Sequence, residues 1–262
     1  MDNRPIGVFD SGLGGLTVLG ELIKQLPDES FIFIADTKNN PYGEKTSQEL
    51  DKIVRKNFEK LIAVGVKAVV IACNTASTLD IDSYRKEYGL PIITVLEATI
   101  EEVDNRYSRI LVAATNATIK SNKHKILINE HFPGVQVEGV PCKDIVPEIE
   151  AGNPGDAKAQ HIVDGYLSAY RFASYDALIL GCTHYPIWED NFRRALPQCK
   201  IINPASKTAY LTLNYLKTHN MLREHGDRDT SQISILVSGD EKDFKKKIKN
   251  IFKINPQNVT KL

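Results

Sequence analysis

Apolar residues fall along this chain in short runs: Ile6–Phe9, Phe31–Ala35, Ala68–Ala72, Ile92–Val95, Ile110–Ala114, Ala177–Gly181 and Ile233–Val237. Most are rich in Val and Ile and apolar on both faces, the pattern of parallel strands covered on both sides. Between the runs the apolar positions change to a helical period. From Ser47 to Val64, the residues Leu50, Ile53, Val54, Phe58, Leu61 and Ile62 fall on one stripe, and Gly65 follows as a stop. Alternation of this kind predicts an α/β fold of mainly parallel sheets flanked by helices.

The pattern also repeats. VVIACNTAS ends an apolar strand on Cys73 and a polar pair, and LILGCTHYP does the same on Cys182. Each is preceded by another strand with a polar exit, GVFDSGLGG before the first and LVAATNATIKS before the second, which pairs Asp10 with Thr115. Two similar α/β halves, each presenting one cysteine at a strand end, follow from this. The segment Glu224–Ser231 reads as an exposed loop, and Lys245–Lys247 as the solvated face of a terminal helix.

Composition adds exclusions. The 262 residues are long enough for one large domain or two smaller ones, and Lys plus Arg equals Asp plus Glu at 33 each. A zero formal charge argues against nucleic acid as a partner. No apolar stretch reaches membrane-spanning length, and MDNRPIGVFDSGLGG lacks the form of a signal peptide, so the expectation is a cytoplasmic protein with no membrane contact. The four cysteines Cys73, Cys142, Cys182 and Cys199 form no CxxC pair, so free thiols are expected rather than a zinc ribbon or a disulfide framework.

Cys142 and Cys199 read as small buried hydrophobes. Cys73 and Cys182 differ, because Asn74, Thr75, Thr183 and His184 stand beside them and both fall at carboxyl ends of strands, where open α/β sheets build their sites. Each just precedes a predicted helix, whose N-terminus would draw a thiol from roughly 8.5 toward neutrality and make it a general base. Two matched thiols suit inversion of a stereocentre: one removes a proton from carbon and the other returns one to the opposite face.

Asp10-Ser11-Gly12-Leu13-Gly14-Gly15 follows a strand and enters a helix, so its N–H groups are candidates to hold an anion, with Asp10 near the reacting centre as a proton relay or ammonium partner. It is neither G-x-G-x-x-G nor a Walker loop, which ranks nucleotide binding last. Pro41-Tyr42-Gly43 is a turn that can close over a ligand. His184 is placed to bond to Cys182 or to substrate; with no second cluster of ligands, no metal is expected. Glu150 alone reads as an exposed helix carboxylate.

Five segments, IGVFDSGLGGLTVL (6–19), NPYGEKT (40–46), IACNTAS (71–77), VPEIEAG (146–152) and LGCTHYP (180–186), resemble the glutamate racemases in order and spacing. The resemblance implies two pseudo-symmetric α/β domains, residues 1–97 with 207–262 and residues 98–206, with the site in the cleft between them. It implies L- and D-glutamate interconversion without pyridoxal phosphate, metal or any other cofactor, supplying D-glutamate for peptidoglycan. It implies a proton taken from D-glutamate by Cys73 and from L-glutamate by Cys182, with Asp10, Glu150 and His184 as auxiliary catalytic groups. Substrate contacts fall to Asp10, Ser11, Pro41, Tyr42, Gly43, Asn74, Thr75, Thr115, Thr118, Thr183 and His184. Family members are often homodimers, and no interface pattern in the sequence decides the form here. The chain departs from the family pattern at Ala114, Asn116, Lys143 and Asn203, and at Asn40, where an apolar residue is common. An aspartate or hydantoin racemase on the same scaffold, or a non-catalytic amino-acid-binding protein, are the competing readings.

Overall fold

The computed structural model describes residues 1–224, 232–252 and 259–262. Among these residues ten strands form two sheets, and every strand pair is parallel. They are β1 (Ile6–Asp10), β2 (Phe31–Ala35), β3 (Ala68–Ile71), β4 (Ile92–Thr94), β5 (Arg109–Ala114), β6 (Gln136–Pro141), β7 (Ala177–Gly181), β8 (Lys200–Ile202), β9 (Ile233–Val237) and β10 (Val259–Lys261). The first sheet runs β10-β9-β2-β1-β3-β4 and the second β6-β5-β7-β8. The order 2-1-3-4 therefore occurs twice, and the first sheet carries two added strands from the C-terminal region. The seven expected strands are all present, and the fold is the α/β architecture read from the pattern.

Alternating residues of the central strands serve different cores, as the two-residue period of a strand requires. Val8 of β1 and Leu111 and Ala113 of β5 join one cluster shared by both sheets, while Phe9 faces a second cluster and Ile110 and Val112 a third. The helix Ser47–Ala63 covers the second cluster. Thr46 starts it with a capping box, accepting from the Glu49 N–H while its own N–H donates to Glu49 Oε2. Leu50, Val54, Phe58 and Leu61 are buried as the stripe predicts, whereas Ile62 is 37% exposed at its rim. Gly65 ends the segment at φ +74°, a conformation open to glycine.

The helix Val95–Ile100 carries the chain from the first sheet toward the second. The return is made by the helix Ala205–Thr218, which packs on the helix Leu16–Gln25. A buried ion pair pins this region: Lys67 Nζ lies 2.6 Å from Glu29 Oε2 and donates to the carbonyls of Asp2 and Met221. No helix among the described residues is long and apolar enough to cross a membrane. The loop expected at Glu224–Ser231 lies, from residue 225, outside the described residues.

Candidate active site

Six strand exits, three from each sheet, surround one cavity of about 330 Å³. From the first sheet come Ser11 after β1, Asn40–Glu44 after β2 and Cys73–Thr75 after β3; from the second come Thr115 and Asn116 after β5, Cys142–Asp144, Val146 and Pro147 after β6, and Cys182–His184 after β7. The volume is at the small end of the range of roughly 300–1,000 Å³ typical of small-molecule sites. The sheets thus meet carboxyl end to carboxyl end, and each contributes one cysteine, Cys73 at 4% and Cys182 at 7% exposure.

The register refines the repeat. β1 pairs with β3 as Phe9↔Ile71, and β5 with β7 as Ala114↔Gly181. Carried forward, these align Ser11 with Cys73 and Thr115 with Cys182, so Thr115 matches Ser11 rather than Asp10. Neither cysteine runs directly into an α-helix; short 3-10 turns follow instead, Ala76–Thr78 and Tyr185–Trp188. A single N–H, from Ala76, reaches Cys73 Sγ at 3.5 Å, and the Cys73 thiol faces Ser11 Oγ at 3.8 Å. Burial pushes the Cys73 thiol up to about 12, with the charge of Asp10 adding to it. The expected lowering by a helix end is thus outweighed by burial.

Around Cys182 the charges differ. Its Sγ lies 3.8 Å from His184 Nδ1, and His184 Nε2–H donates to Glu150 Oε1 at 3.1 Å. Burial alone would lower the imidazole, but the bonds to Cys182 and Glu150 hold it up to about 10. Burial likewise works against an ionised Glu150, yet His184, Lys247 and Asn40 together keep its carboxyl below the usual range. Glu150 is therefore no exposed helix carboxylate: its side chain is 19% exposed and bonded to the histidine behind the thiol.

Two N–H groups of the glycine-rich turn are taken up by the turn's own aspartate. The Gly12 and Gly15 N–H groups both donate to Asp10 Oδ2 at 3.0 Å, and Thr183 Oγ donates to Oδ1 at 3.2 Å. Asp10 is fully buried behind the cavity wall, and burial raises its carboxyl despite these bonds. Gly14 serves close approach: a Cβ there would lie 2.4 Å from His184 Nδ1 and 2.5 Å from Thr183 Oγ1. The β1 exit is thus pressed against the Cys182 segment of the opposite sheet.

Of the residues singled out in the sequence, Ser11, Pro41, Tyr42, Gly43, Cys73, Asn74, Thr75, Thr115, Cys182, Thr183 and His184 line the cavity. Asp10, Glu150 and Thr118 stand behind it. Thr118 closes a triangle of hydroxyls with Thr75 and Thr115, each side 3.0 Å, across the two sheets. Tyr42 is 2% exposed and donates its hydroxyl to Asp36, which also accepts from Asn57. The wall after β6, including Cys142, Lys143 and Asp144, was missed because its strand lacks an apolar run. Cys142 is buried as expected, yet it borders the cavity, its thiol donating to the Val140 carbonyl. Cys199 is buried away from it. No group of three or more His, Cys, Asp or Glu among the described residues is arranged to hold a metal ion.

Residues 28–211 match the Asp/Glu/Hydantoin racemase family. Glutamate racemase 2 of Caldanaerobacter subterraneus subsp. tengcongensis is 36% identical over 250 residues, 94% of this chain and 92% of that one. The crystal structure of glutamate racemase from Francisella tularensis in complex with D-glutamate superposes with a TM-score of 0.93 at 32% identity, covering 100% of this chain and 98% of that one. An aspartate racemase homologue from Pyrococcus horikoshii reaches a TM-score of 0.58 at 17% identity over 82% of this chain and 99% of that one, a likeness of fold alone.

Proposed function

This chain belongs to the Asp/Glu/Hydantoin racemase family, and we propose that it is a glutamate racemase working by two-base proton transfer between Cys73 and Cys182. The observation that carries the reading is the pair of thiols lining one cavity from two sheets of repeated order. The relatives and the D-glutamate-bound neighbour support the substrate.

With L-glutamate bound, the thiolate of Cys182 takes the α-proton, leaving a carbanion flattened by conjugation with its carboxylate. The Cys73 thiol donates its proton to the opposite face, giving D-glutamate and a Cys73 thiolate. The reverse reaction exchanges the roles. Burial keeps Cys73 in the thiol form from which it donates, while the charged imidazole of His184 faces the base. Ser11, Asn74, Thr75, Thr115 and Thr183 offer hydroxyls, amides and backbone groups to the carboxylates, with Tyr42 and Gly43 closing the cavity. Asp10 and Thr118 act through Thr183 and the threonine triangle.

The reading divides the chain at 97/98 and 206/207. It places the enzyme in the cytoplasm, feeding D-glutamate to peptidoglycan synthesis, with a homodimer as the form common in the family it resembles. The test is α-proton exchange in deuterated water from each glutamate enantiomer, with optical rotation followed in parallel. Exchange coupled to inversion is expected, lost in Cys73→Ser and in Cys182→Ser, with a drop of at least about 10²-fold from removing an acid–base group. Inversion at the parent rate in either variant refutes the two-base assignment. Inversion of aspartate with none of glutamate refutes the substrate.

A further inference from the structure

Asn40 was singled out because an apolar residue is common at its position, and Lys247 because it sits in a basic run read as solvated. The structure brings both to one carboxylate. Asn40 Nδ2 donates to Glu150 Oε1 at 2.9 Å, the oxygen that also accepts from His184. Lys247 Nζ, held by Asp243 at 2.8 Å, lies 3.9 Å from Glu150 Oε2. A Cβ on Gly12 would fall 2.9 Å from Glu150 Oε1 and 3.2 Å from Asn40 Nδ2, so the glycine leaves the space this junction fills.

The junction spans the cleft. Asn40 follows β2, and Lys247 lies on the helix Glu241–Ile251 that follows β9, so both belong to the first sheet. Glu150 ends the helix Ile145–Glu150 after β6, and His184 follows β7, both in the second. The carboxylate that orients the histidine behind Cys182 is gripped by residues from the other side of the cleft. Cys73 has a different arrangement, since its partners Ser11 and Ala76 come from its own sheet.

We infer that Asn40 and Lys247 are positioning residues that clasp Glu150 across the cleft, so that the Glu150–His184 arm behind Cys182 is assembled by closure of the two halves. The inference rests on the two-thiol reading of the site. The groups facing the arm are Asp10, Cys182, Lys247 and, through Lys247, Asp243. With the clasp formed, Glu150 is held ionised with Oε1 toward His184, and the imidazole is aimed at Cys182. With it open, the carboxylate swings into water and His184 loses its anchor, while Cys73 is untouched. One acid–base group thereby becomes sensitive to closure and the other does not.

The test is alkylation of the substrate-free protein by iodoacetamide at neutral pH, with the rate at each cysteine read by peptide mass spectrometry. Asn40→Leu is expected to slow alkylation of Cys182 about three- to tenfold, the net worth of one ordinary hydrogen bond, and to leave Cys73 at the parent rate. Lys247→Met gives a smaller drop in the same direction, and Lys247→Arg restores the parent rate. In a Glu150→Ala background, Asn40→Leu adds nothing further. An equal change at both thiols, no change at Cys182, or the same further drop without Glu150 overturns the inference. The readout needs no turnover, so a parent protein that fails to invert glutamate sinks the proposed reaction and leaves the clasp standing or falling on its own rates.

Discussion

The contact between the β1 exit and the Cys182 segment can be tested with one methyl group. In Gly14→Ala the new Cβ would sit 2.4 Å from His184 Nδ1, 2.5 Å from Thr183 Oγ1 and 2.8 Å from His184 Cε1. Comfortable separation for such atoms is about 3.5 Å, so something must move by about 1 Å. The imidazole and hydroxyl are fully packed, His184 at 2% and Thr183 at 6% exposure, so they move only by leaving Glu150 and Asp10. Overpacking of this kind costs about 1–3 kcal/mol of stability, and a misplacement of about 1 Å at a reacting centre costs about 10²-fold in rate. The matched control is Gly20→Ala on the exposed side of the helix Leu16–Gln25, where a Cβ meets nothing within 4 Å. There the smaller chain entropy of alanine should stabilise by about 0.5–1 kcal/mol. Circular dichroism of the racemising substrate gives kcat in each direction, and thermal unfolding gives stability. Gly14→Ala with parental kcat and melting temperature would refute the packing described and the role given to His184.

Three further substitutions probe other parts of the molecule. Cys142 borders the cavity but spends its thiol on the Val140 carbonyl, so Cys142→Ala should keep kcat close to the parent's while losing about 1–2 kcal/mol in urea unfolding; loss of turnover would make it a third acid–base group. His124 is buried with neither ring nitrogen partnered, and burial lowers it to about 4. Its unfolded value near 6.5 is higher, so protons favour the unfolded chain, and stability falls by about 3 kcal/mol as pH drops from about 6.5 to about 4. His124→Phe should remove that part of the slope, and an identical slope in parent and variant would contradict it. Lys67→Met leaves Glu29 charged, 4% exposed and without its cation, and should cost about 3–5 kcal/mol in urea unfolding; a loss below about 1 kcal/mol would show the pair to be dispensable.

The legible part of this fold is the part covered on both faces. β1, β2, β3, β5 and β7 lie between helices or other strands, and their runs of Val, Ile and Phe announce them. The strands missed, β6, β8 and β10, are all sheet edges. QVEGVP of β6 keeps only Val140 buried, so it carries no apolar run to read. The fourth edge, β4, was readable because IIT is buried throughout. At the site, residue types located the thiols, the turn and His184. They could not show that the glycine turn spends two of its N–H groups on its own Asp10, because that depends on how the turn folds back. Glu150, Asn40 and Lys247 were unreadable as a group, since residues far apart in sequence meet only when the sheets face each other.

The placement of β9 and β10 bears on the order in which a growing chain can assemble. The second sheet draws all its strands from residues 109–202 and can close as soon as these have left the ribosome. The first sheet must wait for residues 233–261, because β9 pairs with β2 along Phe31–Ala35. Until then the run FIFIA presents a bare apolar edge, the kind of edge that recruits strands from other chains. A nascent polypeptide that has emerged only as far as about residue 220 would carry a finished second half and an unfinished first one, and a shielding chaperone would find its substrate at β2.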